Sequence, residues 1–323
     1  MRAAGFLVVA AAGLAALAAC DPFGLPATRA LENGAAGMLT SATSMEIAGD
    51  YTESGAHWTI DLQIARPAAR HVLVTNPQGE KVEAIIIGRD AYFRGQQFLA
   101  KHLGSDPLSQ SLAKAAGSGW WKDTADLVPS LPDLADGATF RSTFLGSAVT
   151  RRTDHQSVDG VDAVELSGTR ADVYIASAPP YPLLRVHLNK DAVIDGISDA
   201  DLRFTNFNHD FRIAAPAGVI NFSNLSTLPP IYTVVSVDAS GCGSPCVVSA
   251  KLKNLGGTVG AIAPSTVTFT MTDPASKQTL GTCQAKVQPD VGYNSTTTVS
   301  CTVSAQAVNA AVITATADNP GRG

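Results

Sequence analysis

The chain has 323 residues, a formal net charge of −5 and only 16% charged residues, which are spread without long runs of one sign. That balance argues against a nucleic-acid binder, which needs a basic face. The length is enough for two domains. The first feature in chain order is an apolar run from Phe6 to Leu17, preceded by Arg2 and closed by Leu17-Ala18-Ala19-Cys20. It is shorter than the ~20 residues that a membrane-spanning helix requires. A positive start, a short apolar stretch and small residues before a cleavage point make it a signal peptide.

A cysteine directly after Leu-Ala-Ala resembles the lipobox of bacterial lipoproteins. The resemblance implies removal of residues 1–19, acylation of the Cys20 thiol and a tether over residues 20–29. Two or more acyl chains suffice for stable anchoring at the extracytoplasmic face of a membrane. Setting Cys20 aside leaves Cys242, Cys246, Cys283 and Cys301, an even number, as expected of disulfides in an exported protein.

Leu31, Ala35 and Leu39, at i, i+4 and i+8, predict a helix over residues 27–42, weakened by Gly34 and Gly37. In residues 57–66, Trp58, Ile60, Leu62 and Ile64 alternate with Thr59, Asp61 and Gln63, the period-2 pattern of a strand with one apolar face. The turn Asn76-Pro77-Gln78-Gly79 suits a hairpin, and residues 45–95 read as an antiparallel meander. Helices are predicted over residues 96–103 and 107–116, the second with Asp106 as N-cap and Pro107 at the first helical position. Further short helices are expected within residues 129–134 and 138–144. Strands resume at residues 148–152, 163–166, 172–176, 183–188, 202–207 and 211–214. Residues 30–226 thus describe one α+β domain in which a curved antiparallel sheet wraps helices.

Residues 227–231 read as a linker. Beyond them the composition turns to Val, Thr, Ser and Gly, with strands at residues 232–238, 247–255, 265–271, 279–287, 295–303 and 311–317. Such a series over residues 232–323, divided by Gly, Pro, Asn and Asp, indicates an all-β immunoglobulin-like sandwich. Strands 279–287 and 295–303, folded as a hairpin about Gly292, would set Cys283 opposite Cys301, at a spacing close to that of a disulfide. The short turn from Gly241 to Cys246 would close on itself as Cys242–Cys246.

Several segments of the first domain resemble the LolA/LolB-like fold and, within it, LppX/LprAFG-type lipoproteins. They are the lipobox, the leading helix with Thr43-Ser44-Met45-Glu46-Ile47, the Ala91-Tyr92-Phe93-Arg94 strand before a helical insertion, the Gly119-Trp120-Trp121-Lys122 step and the segment from Phe204 to Pro216. The resemblance implies a half-barrel enclosing an apolar cavity for the acyl chains of a lipid or glycolipid. Ile60, Leu62, Ile64, Val72, Val74, Leu184 and Val186 are then the expected lining, each buried methylene contributing ~0.8 kcal/mol. The same alternation fits a filled core. The second domain, through Lys253-Asn254-Leu255-Gly256-Gly257, the strand 266–272 and Ala315-Thr316-Ala317-Asp318, resembles the CARDB type of sandwich, which implies a spacer or protein-docking module.

Catalytic patterns find no support. The six histidines show no metal-ligand spacing, and Gly-x-Ser-x-Gly, P-loop and dinucleotide motifs are missing. In residues 189–201, Val193 occupies a position where a calcium loop needs a ligand, and no Glu closes the stretch, so it reads as a solvated turn. Trp120-Trp121 fits either a cavity mouth or a strand that places one indole in the core. The expectation is a non-enzyme without cofactor or metal: an anchored lipid or glycolipid carrier or, alternatively, a structural or interaction lipoprotein that meets an envelope protein through its sandwich.

Overall fold

The computed structural model describes residues 25–243, 245–304 and 311–322. It begins with α1 (Thr28–Ser41), β1 (Ser44–Glu53), β2 (Ala56–Ala65) and β3 (Ala69–Thr75). Next come β4 (Lys81–Ile87), β5 (Asp90–Arg94), α2 (Gln96–Leu103), α3 (Pro107–Ala116) and β6 (Trp121–Asp123). β7 (Arg151–Val158), β8 (Val161–Ser167), β9 (Ala171–Ala176), β10 (Leu183–Leu188) and β11 (Ser198–Thr205) follow. The series ends with β12 (Tyr232–Asp238), β13 (Cys246–Asn254), β14 (Thr266–Thr272), β15 (Thr279–Lys286), β16 (Thr296–Val303) and β17 (Val312–Asp318).

By contact the chain divides into two units, residues 1–79 with 126–213 and residues 80–125 with 214–323. This division differs from a linear boundary at residues 227–231, because the helical insertion groups with the C-terminal strands. The physical links are specific. Lys114 on α3 meets Asp318 at 2.9 Å, and the Arg322 amide donates to the Lys114 carbonyl at 3.3 Å. Ile220 N–H donates to the Trp120 carbonyl at 2.6 Å.

In the first unit the strands run in the order β3-β2-β1-β11-β10-β9-β8-β7, each neighbour antiparallel. β1 and β2 pair along their whole length, from Ser44 with Ala65 to Glu53 with Ala56. Gly49 sits where β1 meets β11, with φ +154°, and a Cβ there would run into the Asp201 carbonyl. Alternation puts Met45, Ile47, Leu62, Val72, Val173, Val186, Leu202 and Phe204 in the core. α1 lays Leu31, Ala35 and Leu39 onto β9 and β10, and one π-helical turn, Arg141–Leu145, adds Phe144 and Leu145 beside β9. Of the short helices expected between residues 129 and 144, this turn is the regular helix formed. No strand forms at residues 211–214. Positive φ at Asn206, Asn208 and Arg212 breaks the extended path there, and residues 208–210 are exposed.

In the second unit β4, β5 and β6 form an antiparallel ladder. The Asp106 carboxylate caps α3 by accepting from Leu108 N–H at 3.0 Å and Ser109 N–H at 3.1 Å. The last six strands form two sheets of three, β12-β13-β16 and β15-β14-β17. Val248, Ala250 and Leu252 of one sheet share a core with Val267, Phe269 and Met271 of the other. The protein is mostly β, with one large antiparallel sheet and smaller ones.

Candidate functional site

Cys20, the expected acylation site, lies outside the described residues. Five of the seven expected lining positions share one face of β2 and β3, where Ile60 pairs with Val74 and Leu62 with Val72. Val186 on β10 pairs with Val173 and Leu202. Leu62, Val72 and Val186 are 0% exposed. A side chain lining a void wide enough for an acyl chain would present surface to a water-sized sphere. These present none, whereas Ile60, Val74 and Ile64 on the same face keep 3%, 5% and 6% of theirs. Leu184 leaves the shared face. A bulge between Leu183 and Arg185 turns Leu183 and Val186 inward and leaves Leu184 half-buried.

The opposite face of this sheet carries a polar ladder. The Arg185 guanidinium holds Asp201 with both carboxylate oxygens, Nε to Oδ1 at 2.7 Å, and lies 5.1 Å from the Tyr174 ring centroid. Its hydrogen bond holds the Asp201 carboxyl below the usual carboxylate range. Arg151 meets Glu165 at 2.6 Å, and Arg203 meets Asp159 at 3.0 Å. Burial, with Glu46 nearby, pushes the Asp61 carboxyl up, and its Oδ1 has no hydrogen-bond partner among the described residues.

Trp121 is in the core against Phe93, with ring centroids 6.1 Å apart, whereas Trp120 is half-buried with the Arg94 guanidinium 4.8 Å from its ring. The pair is therefore one core indole and one covered by a cation. Within residues 189–201, Asp195 accepts from the Asp133 and Leu134 amides at 3.0 Å each, a turn cap within its own unit. His102 meets Asp123 at 3.0 Å, and Asp154 is held by Arg152 at 2.7 Å rather than by its neighbour His155. No group of three or more His, Cys, Asp or Glu side chains suited to a metal occurs among the described residues.

In the sandwich the cysteines pair as Cys242–Cys246 and Cys283–Cys301, with Cα atoms 3.8 Å and 6.1 Å apart. The hairpin expected to carry the second bond does not form. β15 pairs with β14 and β16 with β13, so Cys283–Cys301 joins the two sheets instead of two neighbours in one. Alternation and a turn rich in Pro, Asp and Gly signal chain reversal, whether the return strand enters the same sheet or the facing one.

Two buried asparagines hold the same unit together. Asn254, 0% exposed, accepts from Ile231 N–H at 3.0 Å and Gly256 N–H at 2.9 Å. It donates to the Gly257 carbonyl at 2.8 Å and the Val291 carbonyl at 2.6 Å, which uses the full capacity of its amide. Gly256 and Gly257 are required because a Cβ on either would collide with the Pro229 or Ser226 carbonyl. Asn319 accepts from Tyr232 N–H at 2.9 Å and donates to the Tyr232 carbonyl at 3.1 Å, standing in for a strand residue beside β12. The sequence signals Asn254 through its Gly-Gly neighbour; it carries no comparable mark for Asn319.

Three surface clefts lie among the described residues. One of about 500 Å³ lies by α1, bordered by Thr28, Arg29, Asn33, Phe140 and the Glu32–Arg141 pair at 2.6 Å. A second of about 300 Å³ lies by Ile64 and Pro67, where Arg66 donates to the Thr40 carbonyl at 2.8 Å and the Ala135 carbonyl at 2.9 Å. The third, about 340 Å³, is walled by α3, β12 and β17. Apart from Ile64, none of the expected acyl-lining positions borders these clefts.

No family model matches the chain. No curated protein matches it either. Among solved structures it is similar to MucB in complex with MucA(peri), at 13% identity and TM-score 0.29 over 86% of this chain and 93% of that one. A Pseudomonas aeruginosa MucA/MucB complex gives 13% and 0.29 over 87% and 100%. A DUF1329 family protein from Desulfovibrio piger gives 11% and 0.20 over 58% and 94%. Scores this low carry no conclusion, and the topology stands on the strand pairing itself.

Proposed function

We propose that the chain is a lipid-anchored docking protein at the extracytoplasmic face of a membrane, engaging another envelope protein through its C-terminal unit and performing no catalytic step. The observation that supports this reading is the complete burial of three of the expected lining side chains. Where a carrier needs a void, Leu62, Val72 and Val186 have no accessible surface. Two disulfides support an oxidising compartment. No helix among the described residues is long and apolar enough to cross a membrane. The Leu17-Ala18-Ala19-Cys20 run supports attachment through acyl chains.

The rival reading, a half-barrel that carries a lipid or glycolipid, requires that core to open. Two experiments separate them. Native mass spectrometry of the detergent-extracted protein should find the anchor and no further stoichiometric lipid, and recovery of a bound lipid would overturn the docking reading. Leu62→Trp, which adds volume at a side chain with no accessible surface, should destabilise by ~1–3 kcal/mol in thermal unfolding; an unchanged melting temperature would point to hollow space. Cys20→Ala should move the protein from the membrane to the aqueous phase in detergent partitioning, and continued membrane association would remove the anchor from the scheme.

A further inference from the structure

Of the three clefts, the one beside α1 is set apart by its charge. Its unit holds eighteen Asp and Glu against eleven Lys and Arg over residues 25–79 and 126–213, yet two guanidinium groups, Arg29 and Arg141, line this cleft. Its one carboxylate is already paired. Glu32 is buried and accepts from Arg141 Nη1 at 2.6 Å, so its charge is matched before any ligand arrives. Arg29 and Asn33 are exposed and have no side-chain partner among the described residues. The Thr28 hydroxyl accepts from Arg152 Nη1 at 3.1 Å, which leaves its own proton to donate. The lining is therefore rich in donors and carries surplus positive charge: the Arg29 guanidinium, the remaining N–H groups of Arg141, the Asn33 amide and the Thr28 hydroxyl. Such a set selects an oxyanion, and it suits phosphate, whose oxygens guanidinium groups meet with paired N–H bonds.

We propose that this cleft holds the phosphate headgroup of an anionic phospholipid in the leaflet that carries the anchor. The inference rests on the lipid anchor of the reading above and adds a second membrane contact to it. Chain length identifies the source of the phosphate. Thr28, which borders the cleft, is eight residues from Cys20, a stretch that spans no more than ~29 Å even when fully extended. An acylated Cys20 would hold the cleft's rim within that distance of a dense layer of phosphodiesters. A short tether sets an effective concentration in the millimolar range, so a site of only millimolar affinity is occupied. The carboxylates that dominate the rest of the unit are repelled by an anionic leaflet, which favours an approach through the α1 cleft. The lipid keeps its acyl chains in the bilayer, so the contact needs no acyl cavity in the protein.

The test uses the full lipidated chain in a nonionic detergent. The probe is glycerophosphoglycerol, the headgroup of phosphatidylglycerol without its acyl chains, read by phosphorus NMR line broadening. Saturable broadening is expected. It should weaken at least about tenfold with Arg29→Gln and with Asn33→Asp, which sets a carboxylate in the cleft while leaving the Glu32–Arg141 pair intact. Arg89→Gln removes an exposed arginine of the other unit and should bind as wild type, and circular dichroism melting should show all three variants folded. With the chain anchored in phosphatidylcholine vesicles, added phosphatidylglycerol should slow amide hydrogen exchange over residues 137–141, and Arg29→Gln should abolish that difference. Absence of broadening, equal broadening by Arg29→Gln, or an equal loss with Arg89→Gln would overturn the proposal. Inorganic phosphate that binds the cleft while both vesicles give equal exchange would make free phosphate the ligand and overturn the headgroup assignment. The anchor fails separately: a chain that binds the probe but carries no acyl group by mass spectrometry would refute the anchoring leaflet as the source. A chain acylated at Cys20 that fails these assays would overturn the cleft alone.

Discussion

The large sheet and the terminal sandwich reach order by different means. The sheet buries a continuous apolar face from Met45 on β1 to Leu166 on β8 and carries a ladder of ion pairs on its other face; the described part of that unit contains no cysteine. The sandwich has three strands a side and a smaller core, and adds two disulfides and two fully hydrogen-bonded asparagines. A small core supplies little net stability, so covalent and polar cross-links carry a larger share. Where burial is extensive, order is spread over many side chains; where it is scarce, order concentrates in a few positions.

That contrast can be broken at single residues. Asn254→Ala should be the most damaging, because it strands four backbone groups at once, three of them buried; a loss of about 4 kcal/mol is expected in denaturant unfolding of the sandwich. A loss under 1 kcal/mol would show that water replaces the amide and that the concentration of stability there is overstated. Replacing Cys283 and Cys301 together by Ser should cost ~3 kcal/mol by the loop-entropy model, with the six strands retained in far-UV circular dichroism. Loss of strand signal would instead make the bond a condition of folding.

A smaller effect should distinguish the sheet. The folded Asp201 carboxyl titrates below its unfolded value, held down by Arg185, so its contribution is present above the ordinary carboxylate pKa and is lost as pH falls through that range and below. Burial shifts Asp61 and Asp195 the opposite way, so the informative quantity is the difference between wild type and Asp201→Asn. The two melting curves should converge as pH falls from 6 toward ~3, with Asp201→Asn less stable at neutral pH. Parallel curves over that range would mean that the Arg185 pair contributes nothing net.

Much of this architecture is legible in the chain. Residues 96–103 and 107–116 form the expected helices, and the six sandwich strands lie within one residue of the alternating segments, because side-chain period and Gly/Pro punctuation are local signals. What depends on partners outside the strand is not legible. Leu184 continues the alternation on paper, yet a bulge in β10 rotates it off the buried face. Strands 279–287 and 295–303 look like a hairpin, yet they pack in facing sheets. Phe211–Ala214 alternates over too short a span to outweigh the left-handed residues around it. The cleft by β17 could not be read either, because α3 reaches it from two hundred residues upstream.

That last link sets an order of assembly. Lys114 and Asp318, the ends of one ion pair, are 204 positions apart, and the Gly321 backbone lies so close to the Lys114 carbonyl that a side chain there would collide with it. As the chain is made from its amino end, α3 emerges long before the strand it packs beside. The contacts of the helical insertion at Lys114 must therefore wait until residues 318–322 appear. The unit thus closes on itself only when the last residues of the chain are in place, a contact of high sequence separation that slows folding by the loop that must close first.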